Sequence, residues 1–175
     1  MTDDDPLVRA AALRALARAG DLQTADVVAG ARDDAPEVRR SAAELAAQDV
    51  DVDLTALLHD DVPEVVEVAA WAAGEHGVAD GALLETLGTI ARTHDDAMCR
   101  ESAVAALGAI GDERGRAVIL DALSDRPAVR RRAVLALAPF DGPDIDEALT
   151  RALSDRDWQV RQAAEDLRGP EGPAA

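Results

Sequence analysis

The sequence predicts an all-α solenoid, a stack of helical hairpins, and three observations carry that prediction. A Val-Arg pair followed by small residues and Leu at helical spacing recurs as Val8-Arg9, Val38-Arg39, Val129-Arg130 and Val160-Arg161, with Val65-Val66 and Cys99-Arg100 as divergent copies. The first residues of these pairs stand 30, 27, 34, 30 and 31 positions apart. That is the period of a two-helix unit, which buries its apolar side only by stacking on a neighbour. The apolar residues recur at three and four rather than at two, so the chain reads as helices and carries no strand signal. Those apolar residues are mostly Ala, Val and Leu, with one Phe, two Trp and no Tyr. Ala has the best helix propensity and small side chains let helices approach closely, so the core is expected to be thin and tightly packed.

The elements follow in order from their start and stop signals. The first helix is expected over 6–19, with Asp5 as its cap, Pro6 in the first turn where a missing N–H costs nothing, and Gly20 at its end. A short helix over 22–31 follows, then the clearest copy of the repeat over 36–47 and a short helix over 54–59. Helices over 63–76 and 79–93 are separated by Gly77, and those over 98–110 and 114–123 by Gly111-Asp112. Helices over 127–138, 145–153 and 158–167 bring the expected total to about eleven. The connections carry Gly, Pro or Asp over a few residues, which turns successive helices back antiparallel. Residues 1–169 are expected to form one repeat domain. Gly169-Pro170 and the Gly- and Pro-rich end cannot continue a helix, so 170–175 is expected to be a disordered tail. With an odd number of helices one end carries half a repeat, and the N-terminal end is expected to be that one. Leu7, Leu13 and Leu16 then head a helix with no partner upstream, so weak self-association through this helix is an expectation.

Charge narrows the partners. Thirty-five acidic residues face 18 basic ones, all Arg, for a net charge of −17. Such a field repels phosphate backbones and anionic lipid, which disfavours nucleic acid and membrane surfaces. A salt-adapted or GC-rich source would produce the same bulk acidity. The first residues lack the basic and apolar regions of a signal peptide, and no run reaches the ~18 apolar residues of a membrane helix, so a cytoplasmic protein is expected. The single cysteine, Cys99, takes the place that Val holds in other repeats and is expected to be a buried core residue.

The pattern Asp-x-x-Val-Arg-x-x-Ala-x-x-Ala-Leu, with the ending Ala106-Leu107-Gly108-Ala109-Ile110-Gly111-Asp112, resembles the HEAT-like repeat, particularly the bacterial subtype named after phycobilisome lyases. The resemblance covers residues 3–169. It implies a right-handed α-α superhelix, similar to armadillo stacks, of about 5.5 hairpins whose Val-Arg helices line the concave face. It says little about activity, because the same unit serves adaptors, lyase subunits and metal enzymes. HEAT-like deoxyhypusine hydroxylases carry His-Glu pairs just after Val-Arg for their iron. The matching positions here include Ala10-Ala11, Glu67-Val68 and Glu101-Ser102, so that chemistry is not expected. Alkylpurine DNA glycosylases share the architecture but need a basic, aromatic surface that this acidic chain does not offer.

The residues that stand out are read against their plainer roles. Arg9, Arg39, Arg100, Arg130 and Arg161 form a column, one per repeat, and are expected to tie repeats together through Asp residues in the inter-helix turns. Val66 breaks the column. Asp49-Val50-Asp51-Val52-Asp53 begins like a calcium loop, yet Leu54 stands where the loop needs Gly and Asp60 where it needs Glu. It is a solvated turn and helix cap on this reading. The pairs His59-Asp60 and His94-Asp95 are too few for a metal site, and no cofactor is expected.

Eleven carboxylates lie between Arg40 and Arg92, from Glu44 to Glu85, with no Arg or Lys among them. In that block lies Trp71, six positions after Val65, where the helical register turns a side chain away from the buried stripe. The reading is a non-catalytic protein-binding scaffold whose acidic concave groove holds a basic protein segment on Trp71, Glu67, Glu75, Glu44 and Glu101. The alternatives are a lyase-like accessory subunit handling a prosthetic group or tetrapyrrole, and a nucleic-acid-binding module, which the charge opposes. Affinity capture separates them, through a basic peptide in the first case and a coloured ligand in the second.

Overall fold

Eleven α-helices and one short 3-10 turn make up a computed structural model that describes residues 3–169. The Val-Arg helices are α1 (Pro6–Ala19), α3 (Pro36–Ala46), α5 (Pro63–His76), α7 (Ala97–Ile110), α9 (Pro127–Ala136) and α11 (Trp158–Arg168). Between them lie α2 (Thr24–Gly30), α4 (Thr55–Leu58), α6 (Gly81–Thr93), α8 (Arg116–Ala122) and α10 (Pro143–Ala152). No strand occurs among the described residues. The expected helices are all present, shifted by a residue or two at their ends, and the turn Glu113–Gly115 takes the first residues expected of α8. The expected tail, 170–175, lies outside the described residues.

The stop and start signals act as their chemistry requires. Asp5 accepts from the Leu7 N–H and caps α1, Pro6 follows in the first turn, and Gly20 closes the helix at φ 77°. Asp80, Asp96 and Asp157 cap α6, α7 and α11 in the same way. Gly77 and Gly111 end α5 and α7 in the left-handed conformation, at φ 65° and 67°.

The Val-Arg helices pack on one another in sequence, α1 on α3 through to α9 on α11, and form one layer of the stack. The even-numbered helices form the other layer. Of these, α2, α4, α6 and α10 lie closer to the Val-Arg helix that follows them than to the one before, which leaves α1 as the odd helix. The buried residues form one connected cluster from Ala10 to Ala164, dominated by Ala, Val and Leu. The layer is tight because its contacts are made by residues with almost no side chain. A Cβ placed on Gly74 would lie 3.0 Å from Ala106 Cα, and one on Gly108 would lie 2.6 Å from Ala136 Cα. Cys99 is fully buried, and its thiol donates to the Pro63 carbonyl at 3.2 Å. At the N-terminal end α1 buries only part of its apolar side. Leu13 is buried, but Leu7 and Val8 are exposed, although Val38, Val65 and Val129 at the position of Val8 are all fully buried.

Candidate functional site

Two surfaces of the stack use charge in opposite ways. Along the turns, the arginine column forms a ladder. Arg9 grips Asp33 through Nε at 2.8 Å and Nη2 at 2.6 Å. Arg39 holds Asp60 at 2.6 and 2.9 Å, Arg100 holds Asp125 at 2.7 and 2.8 Å, and Arg130 holds Asp155 at 2.9 and 2.7 Å. The remaining nitrogen, Nη1, donates to carbonyls of the turn ahead of the same helix, such as Asp33 and Asp34 for Arg39. Each guanidinium therefore joins its own turn to the next repeat by a planar, two-pronged bond. The hydrogen bond from Arg9 holds the Asp33 carboxyl below its ordinary range, and the bonds from Arg100 and Arg130 do the same for Asp125 and Asp155. For Asp60 burial pushes upward, but the bonds from Arg39 and the Val62 N–H outweigh it and the carboxyl is again lowered. Arg161 donates to the Asp155 carbonyl as the others do to theirs.

The ladder breaks in the third repeat, at both ends of the rung. Val66 replaces the arginine, and His94 stands where Asp33, Asp60 and Asp155 stand in their turns. His94 even takes over the local bond of those aspartates, since its Nδ1 accepts from the Asp96 N–H at 3.1 Å as Asp33 accepts from Ala35 and Asp60 from Val62. The sequence shows Val66 plainly, and the register places His94 five positions before Cys99, as Asp33, Asp60 and Asp155 stand five before Val38, Val65 and Val160; the bond that the ring makes is what the structure adds.

The second surface is the outward face of the Val-Arg layer. On α5, Glu67, Trp71 and Glu75 are spaced by four residues and so share one side of the helix. Across from them, α7 presents Met98 and Glu101, and the two helices enclose an open cleft of about 420 Å³. Its floor is Gly74, Ala105, Ala106 and Ala109. The close approach of α5 and α7 at Gly74 and Ala106 requires that small floor, and no large side chain is left to cover the indole. Trp71 is accordingly 45% exposed and Met98 51% exposed. Arg132 of α9 closes the far side by bonding Glu101 at 3.2 Å. Glu44, Glu67 and Glu75 form no ion pair among the described residues.

Of the residues singled out from sequence, Glu67, Trp71, Glu75 and Glu101 meet in this cleft. Glu44 does not line it. It occupies the position of Trp71 one repeat earlier, on α3, and is exposed there. Met98 and Arg132 were not legible as site residues. Met98 sits one position before Cys99 in the repeat, where Glu37 and Glu64 sit in theirs, and that register was the available signal.

The cleft holds no paired nucleophile and base. The thiol of Cys99 lies in the core, where burial and nearby carboxylates push its pKa up to about 11, so at neutral pH it is a thiol and not a nucleophile. Among the described residues no group of three His, Cys, Asp or Glu side chains could hold a metal ion. The calcium-like aspartates are used locally, with Asp49 accepting from the Thr24 hydroxyl and from the Asp51 N–H, and Asp53 from the Thr55 N–H. No described helix is long and apolar enough to cross a membrane.

A family model described as HEAT repeats matches residues 52–128, and one described as PBS lyase HEAT-like repeat matches residues 129–155. No curated protein matches the chain. Among solved structures, an engineered protein from the Northeast Structural Genomics Consortium is similar at a TM-score of 0.61 and 23% identity, over 89% of this chain and 81% of that one. A designed armadillo repeat protein in complex with the peptide (KR)4 is similar at a TM-score of 0.63 and 19% identity, over 89% of this chain and 84% of that one. A second designed armadillo repeat protein gives a TM-score of 0.59 and 18% identity over the same shares, 89% and 84%. At these identities the likeness is one of fold.

Proposed function

The chain belongs to the HEAT-repeat family, and from that premise we propose that it is a non-catalytic scaffold that binds a basic segment of another protein in the cleft between α5 and α7. The observation that carries this reading is the exposed indole of Trp71 flanked on its own helix by Glu67 and Glu75, neither of which forms an ion pair among the described residues. A guanidinium or ammonium laid over an indole face gains from the ring's charge distribution, and carboxylates to either side supply the counter-charge. Met98 and the alanine floor leave room for the aliphatic stem of such a side chain. Stacks of this kind generally present their helix layers to protein partners, and one similar designed armadillo protein was solved with a peptide of alternating Lys and Arg. Glu44, one repeat away, extends the acidic surface beyond the cleft.

The reading is tested with a fluorescent arginine-rich peptide titrated against the whole chain. Trp71→Ala should weaken binding by about 2 kcal/mol, roughly thirtyfold, with helicity unchanged by circular dichroism. Glu67→Arg/Glu75→Arg should weaken it most at low salt, because reversed rim charges act on steering and are screened as ionic strength rises. Binding that is unchanged in Trp71→Ala, or indifferent to salt, would mean that the indole serves packing and the cleft is not the site.

A further inference from the structure

The unpaired charges on the outward face of the Val-Arg layer are sorted by sign along the stack. The third repeat, which holds Trp71, presents only glutamates on this face, Glu64, Glu67 and Glu75. The repeats beside it are intermediate. The second sets Arg40 between Glu37 and Glu44, and the fourth carries Glu101, which Arg132 already engages. Two repeats from the centre on either side the sign reverses. The first repeat presents Arg14 and Arg18, at the positions of Trp71 and Glu75, and the fifth presents Arg131 and Arg132, the former at the position of Glu67. Arg14 bonds the Ser41 hydroxyl at 2.8 Å. Neither Arg14, Arg18 nor Arg131 has a carboxylate within ion-pair distance among the described residues. On the turn edge of the same stack, by contrast, four of the column's arginines meet an aspartate. This chain therefore pairs its turn-edge charges where they hold repeats together, whereas on the face that exposes an aromatic side chain only Glu101 and Arg132 are paired, and the first, third and fifth repeats each present unpaired charges of one sign.

We infer that this face reads a charge pattern: its partner is an extended segment with a cationic centre and carboxylates on both flanks. The inference rests on the cleft reading above and adds the register. Neighbouring helices in a layer stand ~9 Å apart, so two repeats span ~18 Å, and an extended chain covers that in about five or six residues. A cation over Trp71 would thus bring carboxylates five or six positions away on each side to the first and fifth repeats. A uniformly basic segment would lay its outer charges on Arg14, Arg18 and Arg131 and be repelled there, which is how repulsive elements set specificity.

Three labelled synthetic peptides of about thirteen residues, long enough to span those repeats, decide it at low salt. One has a tri-arginine centre in glycine and serine, one adds two glutamates at each end, and one carries arginine at every second position. The glutamate-flanked peptide should bind about fivefold more tightly than the plain centre, and the fully basic one no more tightly than the plain centre. Arg14→Glu/Arg131→Glu should reverse that order, making the fully basic peptide the tightest while the plain centre is unchanged. Arg18→Glu/Arg131→Glu, which keeps the bond from Arg14 to Ser41, should reverse it as well, so a folding defect in the first variant leaves the test intact. Affinities of the parent that rise simply with peptide charge, or flanks that help equally in the variants, would overturn the charge pattern and leave the cleft standing. A plain centre that does not bind, or that binds Trp71→Ala equally well, would remove the cleft reading and this inference together.

Discussion

The third and fifth repeats are built on equivalent helices, α5 and α9, and fill the same two positions in different ways. At the rung, the fifth has Arg130, almost fully buried and gripping Asp155, and the third has Val66, buried in the core at a groove that His94 also lines. On the outward face, the fifth has Leu135, half-buried against the core, and the third has Trp71, nearly half exposed. The fifth repeat ties the stack with an ion pair at the first position and with packing at the second, whereas the third buries Val66 in the core in place of an ion pair and leaves Trp71 nearly half exposed. Because units in a stack touch only their neighbours, the third repeat can do without an arginine rung so long as its buried residues, Val66 among them, pack α5 on its neighbours and the second and fourth repeats keep their own rungs.

That contrast can be broken most forcefully through the core. Val129 is fully buried next to the Arg130 rung, and Val129→Asp places an unpaired carboxylate there, with an expected cost of about 4 kcal/mol or more. Hydrogen exchange should show α9 to α11 opening first while α5 and α6 stay protected. Uniform loss of protection along the chain would show that the repeats do not act as separate units.

Arg130→Met isolates the rung. It keeps the side-chain stem but strands Asp155, and since that carboxylate keeps some contact with water the expected cost is about 1–3 kcal/mol, below that of a fully buried pair. The pH dependence has a definite sign. Asp155 has its carboxyl lowered from 3.8 by Arg130, so its contribution is complete above the unfolded value and is lost as the pH falls below it. The difference in thermal midpoint between parent and Arg130→Met should therefore hold steady from neutral pH down to about 4 and shrink below that. A gap that stays constant into acid would assign the loss to packing and not to the ion pair.

The smallest effect sharpens the comparison at the outward position. Leu135→Ala should cost about 1–2 kcal/mol, because Leu135 packs against the core. Trp71→Ala, though it removes a larger side chain, should cost no more than about 1 kcal/mol of stability, because the exposed part of the indole loses no burial. Denaturant midpoints for the two variants, measured side by side, check the order. If Trp71→Ala proves the more damaging, the indole belongs to the fold.

The architecture was readable from the chain because each of its causes is local or periodic. The Val-Arg spacing, the proline and glycine punctuation and the Asp caps place α1 to α11 within a residue or two. The arginine column was readable for the same reason, since a residue that recurs at one register position must recur at one place in a stack. Trp71 and its flanking glutamates were readable because three residues four apart on one helix share a side whatever surrounds them.

Periodicity fixes the direction of a side chain about its own helix axis and nothing about the distance to the next helix, and the remaining features depended on that distance. Only the packed layer shows that Met98 and Arg132 join Glu67, Trp71, Glu75 and Glu101 while Glu44 stays outside. Only the packed turns show that the His94 ring takes the bond from the Asp96 N–H that Asp33 and Asp60 take from Ala35 and Val62 in their turns. The physical reason lies in contacts between small residues far apart in sequence, Gly74 on Ala106 and Gly108 on Ala136. They set how near α5, α7 and α9 come to one another, and so decide which outward side chains share a cleft and which stand alone.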